Sequence, residues 1–145
     1  MFQKIIACIF GGLLLGVLGI FLATAFAASN KGGAIGAISF LIFFGIAILI
    51  SISSENGAKA WRRILITSSI ISFLLPISAI IYSFSFMATK IDRSDEFAGA
   101  QAVGAAIGGS LVTGLYSIFG FFLGVVFLII GLLIGREKTI VYINK

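Results

Sequence analysis

The sequence contains no histidine, one cysteine and one proline, and only 10% of its 145 residues are charged. Without histidine, the chain lacks the commonest general base at neutral pH and the commonest metal ligand. The lone Cys8 excludes an intrachain disulfide. Neither G-x-G-x-x-G nor G-x-x-x-x-G-K-[ST] occurs, so no loop has the pattern that cradles a nucleotide phosphate. Ten Lys and Arg against five Asp and Glu give a net charge of +5. In a soluble protein that balance suggests nucleic acid. Here the cations fall in the gaps between apolar runs, with no basic patch interleaved with aromatics, so no nucleic-acid partner is expected.

Apolar residues are abundant. Hydrophobic side chains make up 60% of the chain and the mean hydropathy is +1.22. A soluble domain carries about 25% charged residues, so the solvent for this chain is expected to be the lipid bilayer. Four apolar blocks stand out, at residues 5–28, 34–53, 64–87 and 98–135. Each reaches the roughly 20 residues that a helix needs to cross about 30 Å of hydrocarbon. Strands with open edges are unsatisfied in lipid, so helices are the expected form. The fold class is therefore an all-α integral membrane protein, a single four-helix transmembrane bundle with an elongated Gly/Ala-rich fourth helix.

The first block superficially resembles a signal peptide, because an apolar run ends in Ala25-Phe26-Ala27. However, that run exceeds the 7–15 residues typical of a signal core. It also carries small residues at Cys8, Gly12, Gly16, Gly19, Ala23 and Ala27, a helical spacing expected of a retained, packed helix. Orientation follows from the cations. Lys4, Lys59, Arg62, Arg63, Arg136, Lys138 and Lys145 fall on one side; Lys31, Lys90 and Arg93 fall on the other. The excess predicts both termini in the cytoplasm, and a bacterial inner (plasma) membrane is the expected setting. Trp61, beside Arg62-Arg63, is the expected interface anchor. Residues 2–6 and 61–65 open the first and third blocks similarly, a faint echo that convergence among few apolar letters explains better than an internal repeat.

No Asp, Glu, Lys or Arg lies inside the four blocks. Intramembrane ionisable groups mark proton relays, ion paths and membrane-embedded active sites, so no catalytic, cofactor or metal residue is expected and the chain is not expected to be an enzyme. The third block holds seven Ser or Thr around Pro76. Proline lacks an N–H and should free the carbonyl of Ser72 and kink the helix; the neighbouring serines are expected to compensate. Asp92, Asp95 and Glu96 lie beside Lys90 and Arg93, which fits a solvated loop better than a cation site.

The fourth block opens with AGAQAVGAAIGGSLVTG, ten Gly or Ala in seventeen positions. Small residues recur at helical spacing through Ala100, Gly104 and Gly108, and again through Ser117, Gly120, Gly124 and Gly131. Such stripes let helix backbones approach in lipid. The helix-packing candidates are thus Gly12, Gly16, Gly19, Gly104, Gly108, Gly120, Gly124 and Gly131. Residues 98–135 exceed the hydrocarbon thickness. One inward-running helix is expected, with 98–110 an outer extension that begins near a Ser94 or Asp95 cap and is open to a break at Gly108-Gly109. For function, the pattern points to a non-catalytic structural or accessory protein, self-associating as a homo-oligomer or docked on other membrane-protein subunits. The alternative is an oligomeric channel or transporter component whose third and fourth helices line the path.

Overall fold

A computed structural model describes residues 2–24, 32–90 and 97–134. Four helices account for them: α1 (Phe2–Thr24), α2 (Gly32–Ile52), α3 (Gly57–Lys90) and α4 (Ala98–Leu133). The described residues are 95% helical and contain no strand. All four helices are long and apolar enough to cross a membrane.

Two details of the helices differ from expectation, the start of α3 and the continuity of α4. Helix α3 begins at Gly57 rather than Ile64 because Asn56 caps it: the Lys59 N–H donates to Asn56 Oδ1 at 2.8 Å. This satisfies one of the orphan donors of the first turn. The polar segment Lys59–Arg63 therefore forms helix instead of loop. Helix α4 starts at Ala98 with Phe97 at the cap position and no side-chain cap; Ser94 and Asp95 lie outside the described residues. Finally, α4 runs unbroken through Gly108-Gly109, so the break considered there is absent. Two glycines lower helix propensity by about 1 kcal/mol each in water, but intrahelical hydrogen bonds keep the backbone satisfied where lipid supplies no partners.

The order of packing is α2–α1–α3–α4. Helix α1 packs against α2 and α3, the backbone of α4 packs on α3 and reaches α1 only through side chains such as the Phe21–Tyr116 ring pair, and α2 touches α3 only lightly. The core gathers where the first three helices meet: Ala7, Leu15 and Leu18 of α1, Ala47 of α2, and Ala60, Ile64, Ile71 and Leu75 of α3. Helix α3 is the central element, with half of its most apolar window buried, against 17% for α4. In α4 the buried residues are Gly120, Gly124 and Gly131. Removal of side chains, rather than provision of them, is how this helix docks.

Helix lengths set the relief of the molecule. At 1.5 Å per residue, α1 and α2 are each about 30–35 Å long, whereas α3 and α4 are each about 50–55 Å. Space beside Gly57 of α3 is filled by Gln3 of α1, and space beside Gly11 of α1 by Ile64 of α3. The two parallel helices therefore start together, and α3 runs on past the end of α1 by roughly 20 Å. The α3–α4 hairpin is correspondingly taller than the α1–α2 hairpin.

Candidate functional site

The residues that assemble into a site are those at the helix contacts. Across α1–α2, the glycine face receives aromatic rings. A methyl group on Gly12 would lie 2.7 Å from the Phe44 ring, and one on Gly16 would lie 2.5 Å from the Phe40 ring. Gly19 meets Phe43 in the same way. Phe40 and Phe44 stack on each other with centroids 5.7 Å apart. Gly11, on a different face of α1, accommodates Ile64 of α3. Sequence spacing singled out the first three glycines and missed Gly11, because a four-residue stripe reports one face and α1 has two neighbours.

The α3–α4 contact is tighter. A Cβ on Gly120 would stand 2.6 Å from the Ser72 carbonyl oxygen and 3.0 Å from Pro76 Cδ. That carbonyl is the one Pro76 leaves without its i+4 N–H donor. Backbone of α4 thus approaches α3 where the proline ring has removed a hydrogen bond, and the Cα–H of Gly120 faces the freed oxygen. Gly124 meets the Phe73 ring, and Gly131 meets Leu65 and Ile66. Helix α3 continues through Pro76 as one element.

Hydroxyl groups supply the polar part of this contact. Ser69 Oγ donates to the Gly124 carbonyl at 2.7 Å in a buried setting. Ser83 Oγ lies 3.1 Å from the Gly109 carbonyl and 3.0 Å from Thr113 Oγ1, and 2.9 Å from its own-helix Ala79 carbonyl. Ser117 and Ser78 bond back to their own helices. Ser51, Ser68 and Ser72 bury hydroxyls that meet no hydrogen-bond partner. For them small size, rather than hydrogen bonding, accounts for the close packing.

Gly104 and Gly108 behave differently from the other candidates. A Cβ on either would meet nothing within 4 Å, and the same is true of Gly114. The close packing expected at Gly104 and Gly108 is therefore not made within this chain, because the outer half of α4 has only α3 beside it. Val103, Ile107, Leu111 and Leu115 on that half are also exposed. Trp61, the expected interface anchor, is partly buried and packed on the core. Cys8 is a free, half-buried thiol.

Lys4, Glu55, Lys59, Arg62 and Arg63 gather at the end where α1 begins, and Lys90 closes α3 at the other. Glu55 pairs with Lys59 at 2.6 Å. The Lys59 hydrogen bond, reinforced by its positive charge, holds the exposed Glu55 carboxyl below the usual carboxylate range. Arg63 donates to the Ser53 carbonyl at 3.3 Å and ties the α2–α3 turn to α3. No group of three or more His, Cys, Asp or Glu able to hold a metal occurs among the described residues; Asp92, Asp95 and Glu96 lie outside them.

Between α1 and α4, above α3, runs an apolar groove of about 710 Å³. Its walls include Phe10, Leu14 and Val17 of α1 and Leu115, Phe119 and Phe127 of α4, with Leu75 of α3 at its floor.

Four long apolar helices, joined through glycine, aromatic and hydroxyl contacts, define the class: a helical membrane protein. Beyond the class, no family model matches the chain, and neither a curated protein nor a solved structure matches it.

Proposed function

We propose that the chain is a non-catalytic structural or accessory membrane protein that associates, through the free side of α4, with a second copy of itself or with helices of a larger membrane complex. The observation that carries this reading is the unequal use of α4. Gly120, Gly124 and Gly131 are consumed by α3, while Gly104, Gly108 and Gly114, toward the other end of the same helix, face open space. Small residues that admit close backbone approach substitute in lipid for the missing hydrophobic drive between helices. The Asp, Glu, Lys and Arg side chains all fall outside the four apolar blocks, which supports a role without chemistry. A pore would have to be lined by several copies. The serines Ser68, Ser69, Ser72 and Ser78 are buried in helix contacts and offer no open path within one chain.

The setting proposed is a bacterial inner membrane with both termini in the cytoplasm, supported by the positive-inside count. In a Cys8→Ser background, a thiol at Glu55 should then label only from the cytoplasmic side and one at Phe97 only from the opposite side. Association is tested by single-molecule photobleaching in liposomes at falling protein density, together with copurification in mild detergent. The expected result is a discrete oligomer or a stoichiometric membrane partner. A particle that stays monomeric and partnerless at every density overturns the reading.

A further inference from the structure

We propose that the groove between α1 and α4 seats one acyl chain of a glycerolipid from the leaflet on the side where α1 ends, with the Tyr116 hydroxyl donating to the ester carbonyl at the head of that chain. The groove uses the segment of α4 from Leu115 to Phe127, not the open glycines of the accessory reading, and does not rest on that reading.

Depth selects the leaflet. The run from Ile5 to Ala23 in α1 is uncharged and about 28 Å long, which matches the roughly 30 Å of hydrocarbon. The α1 wall of the groove extends from Phe10, just before the middle of that helix, to Phe21, close to its end at Thr24. This wall is about 16 Å long, close to the roughly 15 Å of one leaflet. Helix α4 runs the opposite way, since its Gly131 meets Leu65 at the start of α3 and its Gly109 carbonyl meets Ser83 farther on. Leu115 and Tyr116 therefore stand at the Phe21 end of the groove and Phe127 at the Phe10 end.

The walls identify the occupant. Phe21 and Tyr116 meet edge to face with centroids 6.1 Å apart, so two rings bridge α1 and α4 at that end. A helix is about 10 Å across with its side chains and cannot lie between them. A hydrocarbon chain can lie along the exposed Val17 and Leu115 beside the bridge. Tyr116 alone among the lining residues has a polar side chain, and its hydroxyl makes no hydrogen bond among the described residues. In hydrocarbon an unpaired hydroxyl is costly. Helical side chains lean toward the N-terminus of their own helix, and α4 begins on the side where α1 ends. The phenol thus reaches outward from a ring about 5 Å beneath the far edge of a bilayer fitted to α1. Ester carbonyls of a glycerolipid lie at that edge and accept hydrogen bonds, and the phenol has one proton to donate. No charged side chain lines the groove, so it reads the chain and its ester rather than the charge of the headgroup.

Photocrosslinking reads the direction of the chain. The purified protein is given phosphatidylcholine with a diazirine on one acyl chain, and the adducts are mapped by mass spectrometry. A diazirine near the ester should label Phe21 and Leu115; one near the terminal methyl should label Phe10 and Phe127. The reverse order overturns the leaflet assignment. Label spread evenly over the four helices, or adducts between two copies through the groove, overturns the site. Native mass spectrometry provides the second measurement. Wild type should keep one phosphatidylcholine through detergent washing, and phosphatidylglycerol equally well. Val17→Phe with Leu115→Phe, which fills the groove from two exposed wall positions, should keep about tenfold less. Leu41→Phe, on the exposed side of α2, should keep as much as wild type; far-UV circular dichroism confirms that each variant is helical. Equal retention by the groove-filled variant, or no lipid on wild type, refutes the site, and a preference for phosphatidylglycerol refutes the indifference to headgroup charge. Wild type should hold ester-linked phosphatidylcholine about fivefold more tightly than its ether-linked analogue, which has no carbonyl. Tyr116→Phe keeps the ring and should hold the two equally. A preference that survives this substitution, or none in wild type, overturns the role of the hydroxyl.

Discussion

Alanine substitution at glycines of α4 should have opposite signs at positions that belong to one helix. At Gly120 the added methyl would stand 2.6 Å from the Ser72 carbonyl oxygen, 3.0 Å from Pro76 Cδ and 3.1 Å from Leu75 Cβ. Two of these neighbours are rigid, being backbone and a proline ring, so relief requires the two helices to separate. Overpacking of this kind costs about 1–3 kcal/mol. Against it stands the gain in helix propensity from Gly to Ala, about 1 kcal/mol. The net expectation for Gly120→Ala is a loss of roughly 0–2 kcal/mol. At Gly108 nothing in this chain lies within 4 Å, so in micelles dilute enough to keep the protein monomeric only the propensity gain remains, and Gly108→Ala should stabilise by about 0.4–1 kcal/mol. The propensity contribution is shared by the two variants. Their difference therefore isolates the packing cost at Gly120, again about 1–3 kcal/mol. Equilibrium unfolding in mixed micelles, followed by Trp61 fluorescence and far-UV circular dichroism, measures both. Equal stability of the two variants would refute the reasoning, because it would mean that the backbone of α4 does not rest on α3 at Ser72.

Three further expectations can be measured by the same unfolding assay. Ser69→Ala removes the donor to the Gly124 carbonyl; the loss should be about 0.6 kcal/mol, the average for interhelical hydrogen bonds in lipid, and not above about 2. Asn56→Ala removes the cap that starts α3 and should cost about 1 kcal/mol, with Asn56→Asp retaining most of it. The Glu55–Lys59 pair should matter little and only at moderate pH. Because the folded Glu55 carboxyl lies below its ordinary value, its contribution is present above the unfolded carboxylate range and is lost as pH falls through the folded value. A difference between wild type and Glu55→Gln should thus shrink on acidification, and one that grew would contradict the pairing.

The four helices were legible because hydrophobic length is a strong signal and lipid leaves the backbone few other options. The start of α3 was less so. Lys59, Arg62 and Arg63 read as a loop when apolar character alone marks a helix, yet Asn56 three residues before Lys59 is an ordinary capping signal that places the start correctly. Glycine spacing marked faces without saying what they face. The same four-residue interval holds Gly12 and Gly16, which receive phenylalanine rings, and Gly104 and Gly108, which receive nothing in this chain. A stripe is a property of one helix, whereas a contact needs the neighbour's position, and that depends on which helices are sequential and where each begins. The α1–α4 groove was illegible for the same reason: its walls are about a hundred residues apart in sequence and its emptiness is a property of neither wall.

The unequal height of the two hairpins has a bearing on the bilayer itself. A membrane fitted to α1 and α2 leaves about 20 Å of the longer pair standing clear on one side. Thickening the hydrocarbon then covers more of α3 and α4 while stretching beyond the shorter pair, and thinning it does the reverse; each ångström of misfit costs a fraction of a kcal/mol. The two halves of the chain consequently prefer different membranes, and a change in bilayer thickness acts on them in opposite directions. The α1–α3 seam joins those halves, so it is where such a change would be felt as torque.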